Sequence, residues 1–166
     1  LDGVTGVQTC ALPIFLLAKD RSQVEIVNDR DGDLVCFYRC VRFHQEALLM
    51  ELDYVLNARE EFTDFIRQVG LTDIQRSARW FFRNKTCFGG ADMESFGTSA
   101  TSAMSSRQGR LDAIRLLSAR LDKVTIENLD WLQILDRYDR AESFFFLDPP
   151  YVGCSDTTYA AWDLAD

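Results

Sequence analysis

Apolar residues recur along the chain in two rhythms, and the switches between them mark out its elements. Val24-Glu25-Ile26-Val27 is a short β-branched run that predicts a strand, leaving through the polar turn Asn28-Asp29-Arg30-Asp31-Gly32. Over residues 33–56 Leu34, Phe37, Tyr38, Val41, Leu48 and Leu52 fall on one stripe, which predicts one helix with Asp33 as its N-cap. Further helices are predicted over residues 60–69, ended by Gly70, and from Thr72 onward, with Ile74, Ala78, Trp80, Phe81 and Phe82 inside. Residues 95–106 are rich in Gly, Ser and Thr and read as a loop. Helical spacing returns over residues 109–122 through Leu111, Ile114, Leu117 and Leu121. Val124-Thr125-Ile126-Glu127 then predicts a second strand, leaving through Asn128-Leu129-Asp130, and residues 131–138 a short helix. Phe144-Phe145-Phe146-Leu147, four large apolar residues without helical spacing, predict a buried third strand.

Strands alternating with helices predict an α/β fold with a parallel sheet and crossover connections. Each predicted strand ends at an acid: Asp29, Asp130 and Asp148. In a parallel sheet these ends share one edge, where open α/β sheets place ligands and where a carboxylate can take ribose hydroxyls. Singly, each acid also fits an ordinary turn. Together they point to a nucleoside-bearing cofactor. After the third strand, Asp148-Pro149-Pro150-Tyr151 forms a rigid, half-extended turn, because two prolines stop both sheet and helix. It offers a carboxylate, carbonyls of a stiff backbone and one aromatic face, a set suited to a planar ring bearing an amine.

Composition narrows the picture. With 47% hydrophobic residues in 166, the chain can bury a proper core, and no apolar run reaches the ~20 residues that span a membrane. The five cysteines (Cys10, Cys36, Cys40, Cys87, Cys154) are scattered without a CxxC pair, and His44 is the single histidine. That usage speaks against a zinc site or a disulfide framework, so no metal and a reducing cytoplasm are expected. The net charge of −8 excludes a simple nucleic-acid coat protein. Residues 76–120 nevertheless carry eight basic and three acidic side chains, +5, within a remainder of −13. A cationic stretch in an acidic body can bind a polyanion locally, although a solvated helical face has the same composition.

Asp148-Pro149-Pro150-Tyr151 after an apolar strand resembles the catalytic motif of N6-adenine-specific DNA methyltransferases of the D12 class. The order of parts is similar to the DNA adenine methyltransferase branch, in which a target-recognition insert lies between two strands of the catalytic sheet. Asn28-Asp29 resembles the acidic turn that holds the ribose of S-adenosylmethionine, and Asn128-Leu129-Asp130-Trp131 the Asp-aromatic element beside its adenine. The run from Ala78 through Arg79, Arg83, Asn84 and Lys85, with Phe88-Gly89-Gly90 and Phe96-Gly97, is similar to the recognition-insert signature of phage-associated members.

The resemblance implies a Rossmann-like, S-adenosylmethionine-dependent methyltransferase sheet, present in part, with a helical insert. Residues 15–33 and 123–166 would form the catalytic part and residues 34–122 the insert. Asp148 and the Pro149 carbonyl would accept the two amine hydrogens of adenine, making its nitrogen nucleophilic toward the sulfonium methyl. Pro150 would stiffen the turn, and Tyr151 would stack on the base once flipped from the duplex. Asp29, Asp130 and Asp148 would hold the cofactor. Arg79, Arg83, Asn84, Lys85 and Tyr151 would contact double-stranded DNA, with the protein acting as a monomer and without a membrane or a metal. Residues 1–14 resemble translated sequencing-adapter read-through, and the glycine-rich turn expected ahead of Phe15 is absent. The chain is therefore expected to be a fragment that binds the cofactor poorly and is inactive as it stands. A methyltransferase of protein glutamine or RNA, or a non-catalytic DNA-binding remnant, are the alternatives.

Overall fold

Two short strands form the sheet of the computed structural model, which describes residues 16–87, 94–97 and 106–147. Strands β1 (Glu25–Asn28) and β2 (Val124–Glu127) pair in parallel, Glu25 opposite Val124 and Asn28 opposite Glu127. Parallel neighbours cannot be joined by a tight turn. The connection here carries helices α1 (Gly32–Phe43), α2 (Gln45–Asp53), α3 (Arg59–Arg67), α4 (Asp73–Thr86) and α5 (Arg107–Arg120). A 3₁₀ turn, Leu121–Lys123, leads α5 into β2, and α6 (Trp131–Tyr138) follows the strand. The result is mixed α/β, as the alternation predicts, with a small parallel sheet.

Local chemistry explains the boundaries. Asp31 rather than Asp33 caps α1, its side chain accepting the Asp33 N–H at 2.8 Å. Asp33 instead stands in the first turn, where a negative charge favours the helix dipole. Thr72 and Ser106 cap α4 and α5 in the same way, through the Gln75 and Gly109 amides. The single helix expected over residues 33–56 is two, broken at His44, whose φ of −130° and ψ of 32° leave the helical region. No side chain from Arg42 to Ala47 is buried, so nothing apolar pins the chain through that turn. Between α3 and α4, Gly70 has φ 103°, and a Cβ there would meet the Arg76 nitrogen at 2.8 Å.

The predicted stripe is the core. Leu34, Phe37, Tyr38, Val41, Leu48 and Leu52 are all buried, packed with Val27 of β1, Phe81 of α4 and Ile114 of α5. Phe37 and Phe81 stack with centroids 5.1 Å apart. A second cluster joins Val55, Phe62 and Phe82 to Phe65 and Phe96, beyond the first and away from the sheet. There Cys87 bridges to Phe96 and the Gly97 amide reaches the Thr86 carbonyl at 2.7 Å.

The third strand is a correction. Residues 144–147 are irregular, and Phe144 is 78% and Leu147 58% exposed. An apolar run becomes a buried strand only when another strand pairs with it and both faces are covered. Among the described residues no strand pairs with this one. Phe88-Gly89-Gly90, most of the 95–106 loop, residues 1–14 and Asp148-Pro149-Pro150-Tyr151 lie outside the described residues.

Candidate cofactor edge and insert helix

Parallel pairing puts the exits of β1 and β2 side by side, and two asparagines tie them together. Asn28 Nδ2 donates to the Leu129 carbonyl at 3.0 Å, and its Oδ1 accepts the Leu129 N–H at 2.8 Å. Asn128 Nδ2 donates back to the Asp29 carbonyl at 2.7 Å, and the Asp29 N–H extends the ladder to Glu127 at 3.4 Å. Thus Asp29 and Asp130, 101 residues apart in sequence, occupy one edge, both half-buried. Each carboxylate is oriented locally: Asp29 Oδ1 accepts the Asp31 N–H at 2.8 Å, and Asp130 Oδ1 caps α6 through the Leu132 N–H at 3.0 Å. Arg30 Nη1 lies 3.9 Å from Asp130 Oδ2. Trp131, the next residue, is 43% exposed. Carboxylates beside an exposed indole suit an adenosine group, which offers vicinal hydroxyls and a flat purine face. Asp148, the third acid predicted for this edge, lies outside the described residues.

The asparagines do more than flank the acids, which is the only place the sequence alone gives them. The signal for their bridging role is an asparagine just at, or just after, the end of each paired strand.

The insert residues expected at DNA lie on the second half of α4, and all four are half-buried. Arg79 Nη1 donates to the Gln68 carbonyl at 2.5 Å, and its guanidinium lies 5.1 Å from the Phe65 ring centroid. It therefore also closes the turn after α3. Burial pushes the pKa of Arg83 and of Lys85 down. Lys85 Nζ sits 5.9 Å from the Phe81 ring centroid, and no acid pairs with it among the described residues. Asn84 lies beside it, its carbonyl accepting from Cys87 Sγ at 3.3 Å.

Three of the eight basic side chains of residues 76–120 pair with acids outside the stretch, and a fourth pairs within it. Arg76 pairs with Asp33, Arg107 with Asp53, Arg115 with Asp112 and Arg120 with Glu25. Arg110 is buried, with Nη1 2.6 Å from Asn57 Oδ1 and its guanidinium 5.6 Å from the Phe82 ring centroid. Clustering in sequence therefore overstates the cationic surface. Arg76 Nε donates to Asp33 Oδ1 at 2.6 Å, which raises the arginine's pKa further. No helix among the described residues is long and apolar enough to cross a membrane.

The chain is 28% identical over 182 aligned positions to the Type II methyltransferase M.MjaIII of Methanocaldococcus jannaschii. The alignment covers 94% of this chain and 61% of that protein's length. The family described as D12 class N6 adenine-specific DNA methyltransferase matches residues 10–163, nearly the whole chain. The chain belongs to the D12 class N6 adenine-specific DNA methyltransferase family.

Proposed function

We propose that the protein transfers the methyl group of S-adenosylmethionine to N6 of adenine in double-stranded DNA. The observation that carries this reading is the joined carboxyl edge, with Asp29 and Asp130 on adjacent parallel strands, in a chain of this family. Bound at that edge, S-adenosylmethionine supplies an electrophilic methyl group on a sulfonium sulfur. Asp29 holds its ribose, and Asp130 and Trp131 flank its adenine. Asp148 and the Pro149 carbonyl accept the two hydrogens of the target amine, whose lone pair is otherwise delocalised into the ring. Drawing those hydrogens toward oxygen localises the pair on nitrogen, so positioning and electrostatics supply the rate. Tyr151 stacks on the extruded base, an interaction worth about 1–3 kcal/mol.

On this reading residues 15–33 and 123–166 contribute to a Rossmann-like catalytic sheet and residues 34–122 form the target-recognition insert. Arg83, Asn84 and Lys85 meet the DNA, and Arg79 braces the same helix while reaching a phosphate. A partly desolvated ammonium such as Lys85 gains more from a phosphate than a fully hydrated one does, which supports its place there.

The test is a competition for labelled methyl groups in the full-length gene product, offered duplex DNA, RNA and protein together. Label is expected in duplex DNA alone. Label in RNA or in protein glutamine contradicts the proposal, and salt-sensitive DNA binding without transfer points to a binding remnant.

A further inference from the structure

The cofactor edge and the insert are joined by a short run of side chains that starts at Asp29 and whose other members have no role in the proposed chemistry. Asp29, Asp31 and Asp33 each stand two residues apart, and the first two each accept the backbone N–H two positions on. Both bonds are 2.8 Å long. The last of the three, Asp33, accepts from Arg76 Nε of α4 at 2.6 Å. The chain of contacts therefore runs from Arg76, to the side chain and then the amide of Asp33, to Asp31, and to the carboxylate of Asp29. Arg76 and Asp33 are each 40% exposed, so the pair is not needed to fill the core. Yet α1 and α4 already pack through Phe37 and Phe81, which holds the two partners in register. Arg79 and Arg83 line the same shallow depression on α4 as Arg76 and Asp33.

We propose that Arg76 is a positioning residue for cofactor binding: from the insert helix it fixes Asp33 and, through the Asp31 turn, the orientation of the Asp29 carboxylate. This rests on the assignment of Asp29 to the cofactor ribose. A guanidinium that leaves Asp33 frees the first turn of α1 and lets the Asp29 carboxylate rotate off its amide. The insert thereby adjusts methyl-donor affinity without touching the donor. By linkage, donor binding favours the α4 position in which Arg76 is engaged.

The experiment measures S-adenosylmethionine affinity by calorimetry, and kcat and KM for the donor, in the full-length gene product and its variants. Arg76→Gln and Asp33→Asn are each expected to weaken donor binding about threefold to fivefold, the size of a half-exposed ion pair. Both should raise KM while leaving kcat at saturating donor unchanged. The double variant is expected to be no weaker than either single one, because both remove the same contact. Arg76→Lys, which keeps the charge, should recover most of the affinity. Asp29→Asn serves as the reference. If Asp29→Asn binds the donor as tightly as the parent, the ribose assignment fails and this proposal fails with it. If Asp29→Asn weakens binding but Arg76→Gln does not, only this proposal is overturned. A fall in kcat with a lowered melting temperature and no change in KM assigns Arg76 a merely structural role, and likewise overturns it.

Discussion

Asp148→Ala is expected to slow methyl transfer at saturating donor about a thousandfold while leaving DNA binding within a few-fold of the parent. The amine of adenine is a poor nucleophile because its lone pair is shared with the ring. On the proposed function, the carboxylate of Asp148 and the carbonyl of Pro149 accept its two hydrogens, and such acceptors act most strongly as positive charge grows on nitrogen. An interaction that strengthens toward the transition state appears in kcat, not in KM. Asp148→Asn should fall between the two. It keeps one acceptor oxygen in the same place but loses the negative charge, and charge-assisted bonds are roughly twice as strong as neutral ones. Single-turnover kinetics with saturating duplex and donor checks this. An Asp148→Ala protein with near-parental single-turnover rate contradicts the role given to the motif.

The second large effect concerns folding. Glu25 of β1 and Arg120 at the end of α5 form a buried bidentate pair, Oε2 to Nη1 at 2.5 Å and Oε1 to Nη2 at 2.7 Å. Their side chains are only 6% and 9% exposed. Arg120 Nε donates further to the Leu16 carbonyl at 2.9 Å, and Lys19 and the Ser22 N–H also reach Glu25. Glu25→Ala leaves Arg120 buried without a counter-charge and is expected to destabilise the fold by about 3–5 kcal/mol, whereas Arg120→Ala, which leaves Lys19 on Glu25, is expected to cost less. Urea unfolding measures both, and a change below about 1 kcal/mol for Glu25→Ala contradicts this account of the pair.

The same node gives a pH dependence of known sign. The Arg120 hydrogen bonds, helped by Lys19 and Ser22, hold the Glu25 carboxyl far below the usual carboxylate range, against the opposing effect of burial. A depressed folded-state pKa contributes stability that is present above the unfolded value, about 4.3, and is lost as pH falls toward the folded one. Stability should therefore decline below about pH 4.5, and Glu25→Gln should flatten that decline.

Much of this architecture is legible in the sequence, for physical reasons that differ between elements. The helical stripe of Leu34, Phe37, Tyr38, Val41, Leu48 and Leu52 can be read because burial follows the helical period. β2 and α6 can be read because a β-branched run and an Asp cap announce themselves locally. The break at His44 cannot, since it reflects a lack of core contact rather than a breaker residue. The apolar run at residues 144–147 misleads because hydrophobicity implies burial only when a covering surface exists. The acids of the cofactor edge are visible as strand exits. The asparagine ties between those exits, the Asp33–Arg76 contact and the Glu25–Arg120 pair are not, because each joins residues more than 40 positions apart. Charge counting fares worst. It marks residues 76–120 as cationic, but most of the arginines there serve the fold.

The central claim is that an edge built from Asp29 and Asp130 and a motif at Asp148 act together on one atom, N6 of adenine in duplex DNA. Mass spectrometry of nucleosides from duplex DNA treated with the full-length gene product and S-adenosylmethionine tests it most directly. N6-methyladenosine, as its deoxynucleoside, is the expected new species, absent with the Asp148→Ala protein. Methyl groups found on cytosine, or N6-methyladenine formed equally by the Asp148→Ala protein, would contradict it.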